Sequence, residues 1–537
     1  MYEYVGQFLH AAKMVIRRLP RPLHTLRPVT HATTDSHNRY EALAIGALAL
    51  LTVLSALRYG AYFYPYLNSD MAMHVLMARD FDFDYSLWYW GQTRLGSLLP
   101  YLASFLWDLG LNPLKSITVV QYAMVSCCVV LFGLIVRNVW ATLLFALLFL
   151  FPSPADVYLI VPGHPYLPHL MLTLAGIFAL QWSDGRKPLI DSLLILVFWA
   201  IGFVAVWVSD MALITVPIIL AWKISGDFGL NLRKWVGSFS GWTLALGPVA
   251  LYAWAKTLKR QAIDWSGYTG SGFADMHQFK QGLDSASARW ESSYLTFDSV
   301  LTHWSARSAL IICTIGAIIM FRSLVFNRLQ ESRIRGFRAI PHLFFVLGVA
   351  LICVSFSSAW AAKSGFDERY FSLPVLLFEA SLISFLGFPQ QKWKQVGVAF
   401  MVLLTTMFNV LAYAEHWTDG SQLRVDDESR GRLKMMTHST IIGDYWFCYA
   451  MAAYNCNEVI PLAFDDQFYR NSHQVDAAFI SDSIFVCTDP KHPVLPDTLM
   501  QQGRTLIRTQ EPAFPVGNSN LGRYVVIHQP DTKKPRP

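Results

Sequence analysis

Charge is what this sequence has least of. Only 15% of its 537 residues are Asp, Glu, Lys or Arg, against roughly 25% in soluble domains. Mean hydropathy is +0.34 and 54% of the residues are hydrophobic. So few charges, together with long apolar runs, exclude an ordinary soluble enzyme and indicate a chain that crosses a membrane many times. The net charge of +6 is small and sorted by side, so no nucleic-acid partner is expected. Cysteine is also sparse, with seven residues and no metal-ligand spacing. Cys127, Cys128, Cys313 and Cys353 sit inside apolar runs, where Cys acts as a small hydrophobe. Cys448, Cys456 and Cys487 lie in the C-terminal part, where an oxidising compartment would allow Cys456 to pair with Cys487 or Cys448. No internal repeat is visible, and an inverted repeat is the usual mark of a secondary transporter. No Glu occurs between Glu41 and Glu291.

What is present is a series of apolar runs near the ~20 residues needed to span a bilayer. They fall at 41–59, 116–136, 139–151, 166–182, 189–207, 211–224, 236–255, 308–325, 342–360, 371–388 and 396–414, about eleven spans. Before them, Val5, Phe8, Leu9, Ala12, Val15 and Ile16 fall at helical spacing, with Lys13 among them and Arg17, Arg18, Arg21 and Arg27 after them. That order is the reverse of a signal peptide and suits a helix lying on a membrane surface. Residues 1–40 therefore read as a basic cytoplasmic segment. Arg137, Arg186, Lys187, Lys223, Arg233, Lys234, Lys392, Lys394 and the cluster Arg322–Arg338 fall on the same side as the N-terminus. The opposite loops 152–165 and 208–210 contain no Lys or Arg, so the positive-inside rule places the N-terminus in the cytoplasm. An odd number of spans then puts 60–115, 256–307, 361–370 and everything after 414 outside. The transmembrane part is 41–414. Residues 415–537 read as a small extracytoplasmic α/β domain with a disordered end. Its strands are expected at 440–443, 458–463, 477–481, 484–487 and 524–528, and a helix at 445–454.

Chemistry concentrates in the first outer loop, in NSDMAMHVLMARDFDFDYSLWYWGQTRLGSLLP from Asn68 to Pro100. Spacing predicts a helix over 70–79, with Asp70 and His74 on one face. Asp70 stands at a helix start, where it is either an N-cap or a general base, since a partly desolvated carboxylate is a better base than one in water. Asp80, Asp82 and Asp84 alternate with aromatics and read as a solvated turn rather than a metal loop. Trp88, Tyr89 and Trp90 offer flat faces for sugar rings or for a membrane-interface belt. Gly91 and Gly96 allow close backbone approach, and Gln92 carries both a donor and an acceptor; Arg94 adds a cation to this loop. Elsewhere His164 and His169 share an outer loop with Asp156, as phosphate or metal contacts or as hydrogen-bonded loop histidines. Asp210 is a charge at the membrane edge, costly there and so functional by default, or else a cap. Arg369, followed by Tyr370, either pairs with Asp367 and Glu368 or clamps a phosphate.

The order of acidic residue, helix, aromatic-Gly-Gln, Gly96-Ser97-Leu98 and Pro100 resembles the first periplasmic loop of the GT-C membrane glycosyltransferases. Three further stretches are similar to that family: GFVAVWVSDMALITVPIIL with Trp207 and Asp210 at its turn, Arg369-Tyr370 with Pro374, and Gly443-Asp444-Tyr445-Trp446 opening the tail. The resemblance implies a mainly α, polytopic GT-C-like fold in a bacterial inner membrane. It also implies a glycosyltransferase taking a sugar from a polyprenyl phosphate carrier. Asp70 would be its base, and His74, Gln92, Arg94, His164, Asp210, Arg369 and Tyr370 would bind substrate. Many relatives carry Glu directly after the first Asp, whereas this chain has Met71. The cofactor is left open: a divalent cation is a candidate that the sequence does not establish. The acceptor is a lipid, a glycan or a protein. The alternatives are a transporter or flippase of lipid-linked sugars, a glycan ligase or polymerase, or a scaffold whose tail binds a partner.

Overall fold

The computed structural model of the chain describes residues 34–63, 67–90, 95–183, 188–227, 239–261, 273–290, most of 307–319, 340–385, 392–416, 425–465, 474–489 and 493–528. The expected surface helix at the N-terminus, much of the expected span at 308–325 and the basic cluster Arg322–Arg338 lie outside the described residues, as does the C-terminal end.

Every other expected span falls on a helix. Five described helices are long and apolar enough to cross a bilayer: Thr34–Tyr59, Pro113–Val136, Pro188–Val208, Ile340–Ser357 and Lys392–His416. Tyr166–Ser183 and Phe239–Gln261 are as long but less apolar, and Val139–Leu150, Ala212–Asp227 and Ser372–Phe385 are shorter. Leu43, Leu50, Trp140, Leu189, Leu193, Leu246, Val249, Phe400 and Leu403 are exposed on these helices. Such a belt has no place in water and faces lipid, so the chain is a membrane protein. Inside the bundle, polar side chains satisfy backbone that lipid cannot. Gln121 is fully buried. Its amide donates to the Tyr59 and Ile160 carbonyls at 3.1 and 3.0 Å and accepts from the Ala61 amide at 3.2 Å. One side chain thus ties the end of the first span to the loop 152–165.

The C-terminal part is a seven-stranded mixed sheet. Its strands are β1 (Ser439–Gly443), β2 (Val459–Ala463), β3 (Ser483–Cys487), β4 (Thr498–Gln501), β5 (Arg504–Arg508), β6 (Phe514–Val516) and β7 (Ser519–His528). The order is β2-β1-β3-β7-β5-β4, with β6 on β7. β1 lies between β2 and β3, parallel to both, and is buried along its whole length, as a central parallel strand is. The other pairings are antiparallel. The helix Tyr445–Ala453 connects β1 to β2. Sequence reasoning expected a strand at 477–481. That segment closes a short helix, Val475–Ala478, and a turn instead, and the hairpins β4–β5 and β6–β7 were not anticipated. Cys448, Cys456 and Cys487 are buried free thiols, so the pairing that an oxidising compartment would allow is not formed.

The helix Ser69–Arg79 also departs from expectation. A helix over 70–79 with Asp70 and His74 on one face was expected; the helix forms, but every residue from Met71 to Ala78 is buried, His74 included. A helix apolar all round is a buried helix. It packs on Leu98–Asp108 and Pro113–Val136 from the membrane part and on Tyr445–Ala453 from the sheet domain. It is thus the layer where the two parts meet.

Candidate active site

The buried helix begins at Asn68, whose side chain caps it by accepting from the Met71 amide at 2.9 Å. Asp70 is therefore not the cap. It sits in the first turn, where the positive end of the helix dipole favours a carboxylate. Two phenols converge on a single oxygen of it. Tyr89 donates to Oδ1 at 3.0 Å and Tyr445 donates to the same atom at 3.3 Å. Oδ2 accepts no hydrogen bond from the described residues.

Gly163, in the loop 152–165, brings His164 to this carboxylate. Its φ is +114°, a region open to glycine and strained for other residues. A Cβ at this position would lie 3.0–3.1 Å from the Asp70 carbonyl carbon, the Met71 amide and the Asp70 Cβ. His164 follows, stacked on Tyr166 and edge-on to Tyr158. Burial pulls its ring down to about 4, against the pull of Asp70 and with the push of Arg369. Burial takes His74 to about 3, with Asp70 opposing and His164 adding. Both imidazoles are neutral at pH 7.

Arg369 arrives from a single 3-10 turn, Glu368–Tyr370, after the positive-φ pair Gly365 (+67°) and Phe366 (+51°). The amphipathic helix Met276–Trp290 buttresses this turn. Its Gly282 lies so close to Ala362 and Phe366 that a Cβ would be 2.8 Å from each. Ala286, Ala361, Ala362 and Phe366 form a small core there, with Tyr370 packed against it. Arg369 sits 5.3 Å over the Tyr370 ring and 3.7 Å from Asp367. Burial works against its charge, but Tyr370, Asp367, Asp70 and Tyr166 outweigh it and hold the guanidinium above its ordinary range. Arg369 Nε, His164 Nε2 and His74 Nδ1 are buried without a hydrogen-bond partner. Buried polar atoms are nearly always paired, so these three around one carboxylate stand out, although Arg369 Nε is also 3.7 Å from Asp367 Oδ1.

The other expected residues fall as follows. Asp210 lies in the turn between Pro188–Val208 and Ala212–Asp227 and is not among the charges acting on His74, His164 or Arg369. Its turn instead anchors the first loop. Leu95 bridges to Ser209, the Gly96 amide donates to Val208, and the Trp207 indole donates to the Leu87 carbonyl at 2.9 Å. Gln92 and Arg94 lie outside the described residues. His169 is fully buried in its helix, 3.5 Å from the Thr215 hydroxyl, and holds the bundle rather than the loop. Asp156 accepts from the Ser153 hydroxyl at 2.6 Å, and burial raises it to about 6. Trp88, Tyr89 and Trp90 are buried, so they pack the loop and offer no open face to a sugar or to lipid. Asp80 pairs with Arg79 and accepts from Gln474 at 2.6 Å, which suits its reading as a turn residue. Among the described residues no group of three or more His, Cys, Asp or Glu is placed to hold a metal. Sequence reasoning gave Tyr89 and Tyr445 no part at the carboxylate, because neither carries a local signal for it.

The fold and the cluster define a polytopic membrane protein with a half-buried carboxylate and arginine near one another where its helix bundle meets a sheet domain. No protein-family model matches the chain, and no curated protein matches it. Among solved structures it is similar to ArnT from Cupriavidus metallidurans in the apo state, with TM-score 0.43, 10% identity and coverage of 91% of this chain and 98% of that one. It is similar also to the same protein bound to undecaprenyl phosphate, with TM-score 0.42, 10% identity and coverage of 90% and 98%. At these values the likeness bears on neither the chemistry nor the substrate of this chain.

Proposed function

We propose that the chain is a membrane glycosyltransferase that moves a sugar from a polyprenyl phosphate carrier to an acceptor hydroxyl on the outer face of the bacterial inner membrane. The observation that carries this reading is that Asp70, whose Oδ2 accepts no hydrogen bond from the described residues, acts on the Arg369 guanidinium, which Asp367 and Tyr370 hold in place. Asp70 Oδ2 takes the proton of the acceptor hydroxyl as that oxygen attacks the anomeric carbon. The bond from the anomeric carbon to the phosphate oxygen breaks, its electron pair stays on the phosphate, and the sugar is inverted. The leaving group needs positive charge more than an acid. Arg369 supplies that charge, since His74 and His164 are neutral and serve as hydrogen-bonding walls. Tyr370 holds the guanidinium by its ring. Gln92 and Arg94 are assigned to substrate from their place in the first loop, and Asp210 to holding that loop.

The sidedness in this proposal comes from the basic residues. The packing supports it: segments assigned outside, around Asp70, His164, Asp210 and Arg369 and in the tail, come together at one end of the bundle. On this reading 1–40 is cytoplasmic, 41–414 is the transmembrane unit and 415–537 is the extracytoplasmic domain.

The test is transfer from a synthetic polyprenyl-phospho-sugar by the purified protein in lipid nanodiscs. Asp70→Asn is expected to bind the carrier and transfer no sugar, and Arg369→Ala to raise the KM for the donor. Normal turnover by Asp70→Asn would remove the carboxylate from the chemistry.

A further inference from the structure

The sheet domain has a closer relation to the cleft than a lid or an acceptor platform has. Tyr445 is its first helical residue after β1, and its hydroxyl reaches the Asp70 carboxylate. Several features aim it there. Asp444 is buried and caps the helix by accepting from the Trp446 amide at 2.9 Å. Gly443 is pressed against Cys487 at the end of β3, where a Cβ would collide with the sulfur. The Tyr445 ring packs against Tyr449 with centroids 5.1 Å apart. The corner therefore stands where the parallel strands β2-β1-β3 end and their connections diverge, the edge at which open α/β sheets present their working residues. The far end of the buried helix is held by the same domain, through Gln474 on Asp80.

The terminal torsion of an aspartate is soft, so nothing intrinsic decides which oxygen faces a substrate. With Tyr89 and Tyr445 on one oxygen, the other is left for the reaction. We propose that Tyr445 is a positioning residue of the active site, so that the sheet domain is an integral part of the catalytic centre and orients the Asp70 carboxylate for proton abstraction. This rests on the proposed role of Asp70.

The test compares Tyr445→Phe, Tyr89→Phe, the double variant and Asp70→Asn, full-length in nanodiscs with a synthetic polyprenyl-phospho-sugar. Melting temperature is measured on the same samples. Loss of one hydrogen bond to a charged group lowers kcat about 10- to 100-fold, and Tyr445→Phe is expected to show this with donor KM and melting temperature unchanged. The double variant is expected to lose more than either single variant, because both phenols hold the same oxygen. Wild-type kcat in Tyr445→Phe beside an inactive Asp70→Asn would overturn this inference and leave the base assignment standing. Wild-type kcat in Asp70→Asn would overturn both. A rise in KM at unchanged kcat, or a loss of rate matched by a loss of melting temperature, would also overturn the positioning role.

Discussion

Gly163→Ala isolates the geometry of the cleft without touching a polar atom. Two costs follow from the structure. The backbone at Gly163 has φ +114°, and placing an L-residue there costs about 1–3 kcal/mol. The new methyl would also meet the Asp70 carbonyl carbon and the Met71 amide at 3.0 Å. Ordinary contact is about 3.5–4.0 Å, so loop and helix must part by roughly half an ångström. Neither can yield by rotating a side chain, because the obstructing atoms are mostly backbone. The loop is tied through Gln121 to the first span, and the helix is buried on all sides. The displacement therefore separates His164 and its loop from Asp70. A misplacement of about 1 Å costs about 100-fold in rate, so half of that is expected to cost about tenfold in kcat. The strain is expected to lower the melting temperature by roughly 2–6 °C. The assays are thermal unfolding in detergent and steady-state transfer. A Gly163→Ala protein with wild-type melting temperature and kcat would show that the loop does not hold the carboxylate, and the account of the cleft would fail.

Four further outcomes are expected. Arg369→Lys keeps charge but loses the planar fork, so it should raise donor KM by about tenfold or more while leaving folding intact; an unchanged KM argues against a phosphate contact. His74 and His164 are held neutral, at about 3 and about 4, below the unfolded value of about 6.5. The unfolded chain then binds more protons below pH 6.5, so stability is full above that value and falls as pH drops toward 4. A melting temperature flat from pH 7 to 4.5, or equally acid-sensitive in His164→Asn, would contradict the burial of these rings. Gly96→Ala would push a methyl into the Trp207 carbonyl and detach the first loop from the turn at Asp210, which limited proteolysis in that loop would detect. Burial raises the thiol of Cys456 to about 11 and pushes Cys448 and Cys487 further up. Alkylation of the folded protein at pH 7 should therefore leave all three unlabelled, and rapid labelling would place them at the surface.

The parts of the fold that obey a single-period rule were legible in the sequence. Apolar runs near 20 residues became helices because a bilayer solvent demands them, and the short strand expected at 440–443 is β1, buried along its whole length. The hairpins β4–β5 and β6–β7 were not legible. Their strands are short and half-exposed, as in Thr498–Gln501, so neither alternation nor length stands out. The segment after Val475 was misread because a short apolar run does not distinguish strand from helix. At the site, Asp70 and Arg369 stand out in the sequence by type and position, whereas their nearness is a fact of packing. The cap could have been found: Asn68 stands before Ser69-Asp70, and Asn is a strong N-cap residue. Tyr89 could not, since a tyrosine between two tryptophans looks like membrane-interface belt until its hydroxyl is seen to reach a carboxylate.

The burial of Ser69–Arg79 decides how the two parts of the chain depend on each other. Between its ends this helix is apolar except for the buried His74, so it is stable only when both sides are covered. The bundle covers one through Leu98–Asp108 and Pro113–Val136, and the helix Tyr445–Ala453 covers the other. Removal of the sheet domain would expose buried Met and Val side chains, at roughly 1.5–3 kcal/mol for each one laid bare. It would also strip a phenol from Asp70 and an amide from Asp80. A transmembrane unit cut after residue 416 is therefore expected to insert but to leave its first loop open to protease. Adding the sheet domain as a separate chain would not restore transfer unless it re-covers this helix. The carboxylate belongs to the seam between the two parts, and its geometry exists only where both are in place.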